Sequence, residues 1–153
     1  MRTQMRMKTS GALIAGVCLA MLFTGQTTLR GDDKDLKEHG PIHWTDSLEK
    51  AKKLALKEHK PIFVDFWANW CAPCKQMLKT TYKDKVVVEK SKQFITVLID
   101  ADKDTKTVKT YKVDLLPTII CLNSKGKLIS QTSSLKSADE VLAIMSDALK
   151  KNK

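Results

Sequence analysis

Residues 61–77 read PIFVDFWANWCAPCKQM. Positions 61–68, PIFVDFWA, are rich in β-branched and aromatic residues and read as a buried strand. Pro73 suits the first turn of a helix, so a helix is predicted from about Pro73. Cys71 then stands at the junction of strand and helix, with Cys74 three residues on, over the first turn. Two cysteines at this spacing can grip a metal, act as a redox switch or close a small loop. Asp65 is the odd residue in its strand, since a carboxylate among Ile62, Phe63, Val64, Phe66 and Trp67 is costly to bury. Either it is buried with a raised pKa, or that end of the strand is solvated.

The rest of the chain is organised around this stretch. Asp46 and Glu49 have capping-box spacing and open a helix to about His59, with Leu48, Ala51, Leu54 and Ala55 on one face. Pro61 ends it. After the helix at Pro73 comes a break near Asp84, then a second helical piece through Val88 and Lys92. FITVLID, 94–100, is a second continuous apolar strand, and 104–111 a short helix. Residues 118–122 form a third strand. Asn123, Ser124, Lys125 and Gly126 turn the chain into its hairpin partner, 127–132. Ser137 and Glu140 form another capping box, and Val141, Leu142, Ile144, Met145, Ala148 and Leu149 give the closing helix its apolar stripe. Helices separate the first strands, which are therefore expected to run parallel, and the last pair is an antiparallel hairpin. The predicted class is α/β: a central mixed β-sheet flanked by helices on both faces.

At a strand-to-helix junction a Cys71 thiolate faces unpaired backbone N–H groups and the positive end of the helix dipole, so its pKa is expected to be lowered. The thiolate is the nucleophile of disulfide exchange, and Cys74 is placed to resolve a mixed disulfide by attacking back. A buried Asp65 below the helix start could take the proton from Cys74. Metal binding is the other class of reading. Two thiolates are half of a structural zinc site, but no second Cys pair and no paired histidines supply the other half; a two-coordinate copper or zinc carrier stays open. His39, His43 and His59 form no ligand cluster. Cys121, within TIICL, reads as a small buried hydrophobe. Pro117 reads as a bend before a strand, and Trp67 as a core residue.

The chain has 153 residues, 42% hydrophobic and 29% charged, enough for one domain with a core. Its formal charge is +10, to which Arg2, Arg6 and Lys8 contribute three. The lysines at 50, 52, 53, 57 and 60 are spread along a helix with Glu49 and Glu58, a solvated face rather than a nucleic-acid strip. MRTQMRMKTS is positive and free of acids, and 12–23, ALIAGVCLAMLF, is unbroken and apolar. As a helix that run spans about 18 Å, short of the ~30 Å hydrocarbon core. Residues 1–25 therefore read as a secretory signal peptide, with retention as an anchor the alternative. Lipid attachment at Cys18 is disfavoured by Val17 before it. Residues 26–40 are polar and Gly-punctuated, a linker, and 41–153 the folded domain. Export places that domain where disulfides persist, and the odd count of Cys71, Cys74 and Cys121 argues against a purely structural framework.

VDFWANWCAPCK, 64–75, resembles the active-site segment of the thioredoxin family nearly residue for residue, and Leu116-Pro117-Thr118 resembles the family's cis-proline loop. The resemblance covers about residues 44–150. Thr81-Tyr82, Asp84, Val87 and the Leu before Pro117 are more similar to the C-terminal periplasmic domain of the membrane thiol:disulfide interchange reductase than to cytosolic thioredoxin. The resemblance implies a thioredoxin fold and roles for matching residues. Cys71 is then the exposed attacking cysteine, Cys74 the buried resolving one, and the two form a redox-active disulfide. Asp65 is the buried acid. Pro117 is cis and lines the substrate groove with Leu116, Ala72 and Pro73, and Trp70 shields the disulfide. No cofactor or metal is implied. The sequence departs from the pattern at Thr96, where thioredoxin has a lysine, at Ser133-Ser134, where a glycine is replaced, and at Ala72-Pro73, where thioredoxin has Gly-Pro.

Strong oxidants of this fold over-stabilise the attacking thiolate through a polar residue between the cysteines, and Ala72-Pro73 supplies none. A reductase or electron carrier is therefore expected, with a disulfide oxidase or isomerase as the alternative. Its expected partners are disulfide-containing exported proteins and, as electron donor, a membrane thiol-disulfide reductase. It is expected to act as a monomer in the periplasm or another extracytoplasmic space.

Overall fold

The structure, a computed structural model, describes residues 39–153; the expected signal peptide and most of the expected linker lie outside them. His39 and Gly40, at the end of that linker, are half-buried, and the His39 ring meets Trp67 edge-on at 4.6 Å. A two-residue strand β1 (Trp44–Thr45) leads into helix α1 (Leu48–Glu58). Its cap is Ser47, whose side chain accepts the Lys50 N–H, and not Asp46 as the capping-box spacing predicts. Such a cap contributes about 1 kcal/mol. Leu48, Ala51 and Ala55 are buried, while Leu54 is 42% exposed. It lies 60° around the helix from Ala51, at the edge of the stripe. His59 takes the left-handed conformation that ends the helix, and Lys60 N–H reaches back to the Ala55 carbonyl.

Strand β2 (Ile62–Trp67) follows, then α2 (Ala72–Lys79), a 3₁₀ turn (Thr81–Lys83) and α3 (Lys85–Ser91). The break expected near Asp84 is a helix cap: its carboxylate accepts N–H groups from Val86 and Val87. Strand β3 (Ile95–Asp100), helix α4 (Thr105–Thr110), strand β4 (Thr118–Leu122), strand β5 (Leu128–Ser133) and helix α5 (Ala138–Lys151) complete the chain. In the β4–β5 turn the Asn123 side chain accepts N–H groups from Lys125 and Lys127, and Gly126 holds φ 81°. Helix α5 opens with the expected reciprocal capping box of Ser137 and Glu140.

The five strands lie in the order β1-β3-β2-β4-β5. β2 and β3 are parallel as expected. β4, although also reached through a helix, runs antiparallel to β2. β2 is therefore central and covered on both faces, which is why its sequence shows no polar alternation. Ile62, Val64 and Phe66 pack with Leu48, Ala51 and Ala55 of α1. Phe63 packs on the opposite face with Met77, Leu78, Tyr82, Val87, Val141 and Met145. By the strand's alternation Asp65 shares the Phe63 face, between Leu98 of β3 and Ile119 of β4.

Candidate active site

β2 ends at Trp67, and Ala68, Asn69 and Trp70 turn the chain into α2. Cys71 caps that helix: its Sγ lies 3.3 Å from the Cys74 N–H. Pro73 occupies the first turn, where its missing N–H costs nothing. Cys71 and Cys74 are joined by a disulfide with Cα atoms 5.3 Å apart. One correction concerns exposure. Cys71 is 3% exposed and Cys74 0%, so the expected exposed cysteine is almost covered in the disulfide state. Ala68, Trp67 and Leu116 pack around the pair. Trp70, expected as the shield, is 70% exposed, and its indole N–H donates to the Asp102 carboxylate at 3.0 Å. Trp67 and Leu116 take the shielding place.

The Leu116–Pro117 peptide bond is cis, and Pro117 is buried. Leu116 closes one side of the cysteine pair, and Leu115 beside it is 67% exposed. The Pro117 carbonyl accepts the N–H of Ser134, which holds φ 79°. A serine there carries a strain that a glycine would not, of order 1 kcal/mol. Ser133 shares a 2.7 Å hydrogen bond with Thr118. Trp70, Ala72 and Leu115 thus form an exposed, largely apolar rim beside the disulfide, with half-buried Pro73 and Leu116 inside it.

Asp65 is fully buried, so the solvated reading of this residue is excluded. Burial raises its pKa from 3.8 to about 8, and the Tyr82 hydroxyl lies near enough to the carboxylate to offset part of that rise, although no hydrogen bond of ordinary geometry joins the two. Among the described residues neither carboxyl oxygen has a hydrogen-bond partner, nor has the Tyr82 hydroxyl. Thr96 spends its hydroxyl on the His43 carbonyl. Cys121 is buried and free, and burial pushes its thiol up to about 12. Among the described residues no three His, Cys, Asp or Glu side chains form a group able to hold a metal ion.

Two residues of the site went unassigned in the sequence. Asp102 follows β3 in the chain, and the Trp67–Asp100 register of two parallel strands brings the loops after β2 and β3 together. Reading that pairing forward would have found it. Tyr82 was noted for its resemblance alone; a tyrosine on an otherwise polar turn, TTYKDK, is the available signal.

The thioredoxin family profile matches residues 44–147. Thioredoxin of Mycobacterium tuberculosis is 29% identical over 94 residues, covering 61% of this chain and 78% of that protein. The thiol:disulfide interchange protein DsbD of Vibrio vulnificus is 32% identical over 93 residues, covering 58% of this chain but only 16% of that protein. A thioredoxin structure from Thermus thermophilus superposes with a TM-score of 0.66 at 19% identity, over 73% of this chain and 90% of the other. The chain therefore belongs to the thioredoxin family, with the thiol-disulfide oxidoreductase chemistry of that family and Cys71–Cys74 as its dithiol-disulfide pair.

Proposed function

We propose that this protein is an exported protein-disulfide reductase, running on the Cys71–Cys74 dithiol. The observation that carries the direction of electron flow is the surroundings of Cys71. Its sulfur meets one backbone N–H at the start of an eight-residue helix, and the side chains between the cysteines are Ala72 and Pro73, neither of which can donate a hydrogen bond or bring a charge. The helix start favours the thiolate enough for attack at neutral pH, without the extra stabilisation that makes a dithiol a strong oxidant.

In the reaction the Cys71 thiolate attacks a substrate disulfide, forming one S–S bond and releasing one substrate thiolate. The proton on Cys74 passes to Asp65. The Cys74 thiolate then attacks Cys71, restores the internal disulfide and releases the second substrate thiolate. The substrate has gained two electrons and the enzyme has lost them. Trp70, Ala72, Pro73 and Leu116 form the surface against which the substrate docks, with the buried cis Pro117 beneath Leu116 holding its backbone.

Export rests on residues 1–25. The proposed substrates are disulfide-containing proteins of the periplasm or a comparable compartment. A membrane thiol-disulfide reductase returns the electrons, since among the described residues Cys121, buried and free, forms no second redox pair. The test is a single turnover of the full chain, isolated from its own cells and reduced in advance. It is expected to reduce a model protein disulfide stoichiometrically within minutes, with an intact mass that lacks the first ~25 residues. Failure to transfer electrons would overturn the reductase. Recovery of the uncleaved chain from the cytosol would overturn export.

A further inference from the structure

The buried acid of this site has one polar neighbour that the reaction above leaves unused. Tyr82 lies in the 3₁₀ turn between α2 and α3, fully buried, with its ring edge-on to Trp44 at 5.2 Å and to Phe63 at 6.3 Å. Phe63 is two residues before Asp65 on the same strand face. These aromatic contacts hold the ring and leave its hydroxyl without a protein partner. Both Asp65 oxygens are equally buried and equally unpartnered. The Trp44 indole N–H in the same cluster is also buried and unpartnered, and a folded domain rarely leaves four such atoms unsatisfied on one face, because each costs a desolvation penalty.

We infer that Tyr82 is the positioning residue of the proton acceptor: its hydroxyl donates to the Asp65 carboxylate when that group ionises, and so sets the pH at which Cys74 can be deprotonated. The inference rests on Asp65 taking the Cys74 proton. On ionisation the proton of the Cys74 thiol moves to the carboxylate, and the tyrosine keeps its own. Tyr82 keeps its proton, because burial and the charge of Asp65 raise its pKa well above the ordinary value, and toward an ionised carboxylate a protonated hydroxyl donates. The groups facing this pair from the packed elements are few. β4 contributes Cys121, which acts on Tyr82 and which burial holds as a neutral thiol. α5 contributes Asp147, half-exposed, whose charge acts on Cys121. Among the described residues no cation offsets the cost of burying the Asp65 charge; the Tyr82 hydroxyl is the group that does. The aromatic rings also explain why a tyrosine serves here, since the hydroxyl is held by packing alone.

The experiment isolates the second half of the reaction. Reduced full chain is loaded at Cys71 with a chromophoric aryl thiol, and release of that thiol by Cys74 is followed from pH 5.5 to 9.5. Removing a hydrogen bond to a charged group shifts a pKa by about one unit or more. Tyr82→Phe is therefore expected to move the midpoint of the profile up by about one pH unit and to slow release roughly tenfold at pH 7. Combined with Asp65→Asn it should add nothing. If Asp65→Asn changes the profile but Tyr82→Phe superimposes on the wild type, the role of Tyr82 is overturned and that of Asp65 stands. If Asp65→Asn itself superimposes on the wild type, the proton-acceptor reading fails first. Should Tyr82→Phe fold poorly, 3-fluorotyrosine incorporation reaches only Tyr82 and Tyr111 and makes the hydroxyl a stronger donor. It should lower the Asp65 carboxyl midpoint in a ¹³C NMR titration, and an unmoved midpoint contradicts the inference.

Discussion

Cys74→Ser is expected to stop the enzyme halfway, with the substrate bound covalently to Cys71. Cys74 is 0% exposed on the first turn of α2, and its sulfur is the one bonded to Cys71 in the oxidised protein. Without it no thiol remains within the site to displace the product, because Cys121 is buried on β4 and held as a thiol. Turnover should fall by a factor on the order of 10³ or more, as expected when a covalent step loses its reacting group. Non-reducing intact mass should show adducts of one substrate per chain, in cells as well as in vitro, and their sequences identify the substrates. Cys71→Ser should lose activity to the same extent but form no adduct. Adducts in the Cys71 variant instead would reverse the assignment of attacker and resolver.

The second large effect is on stability. Asp65 ionises above about pH 4 in the unfolded chain but only above about 8 in the folded protein. Its folded pKa is raised. The full stability is therefore present below pH 4 and is lost as the pH rises from about 4 to about 8. At pH 7 the loss amounts to about 4 kcal/mol. Asp65→Asn removes the titration while keeping shape and polarity. The variant is expected to fall below the wild type near pH 4 by the cost of its buried amide, which does not depend on pH, and to gain about 4 kcal/mol relative to it between pH 4 and pH 7. Urea unfolding of the oxidised proteins at the two pH values measures this. An equal difference at both would mean that Asp65 does not titrate as its burial requires. A site that accepts this cost for an unpaired acid is spending stability on function.

The strands, the main helices and the redox pair were legible because each leaves a local signal. Continuous apolar runs mark strands covered on both faces, and Pro73 marks the helix on which Cys71 and Cys74 sit. The burial of Asp65 was not legible from its strand, since a lone carboxylate reads equally as the wet end of a strand. Only the layer of α2, α3 and α5 over that face excludes water. β1, two residues long, has no period to read, and its place is given by pairing with β3. The antiparallel direction of β4 is likewise a property of the chain's path after α4. The low exposure of Cys71 comes from Leu116, forty-five residues away in sequence. The contact between Trp70 and Asp102 depends on two loops brought together by parallel pairing.

The direction of electron flow follows from how little stabilises the Cys71 thiolate beyond the helix start, and the reduction potential of the Cys71–Cys74 pair measures that directly. Equilibration of the full chain with glutathione mixtures at pH 7, read by the fraction of disulfide, is expected to give a value near the reducing end of the fold, about −270 mV. A value near about −120 mV, that of a strong oxidant, would contradict the account and make this protein a donor of disulfides.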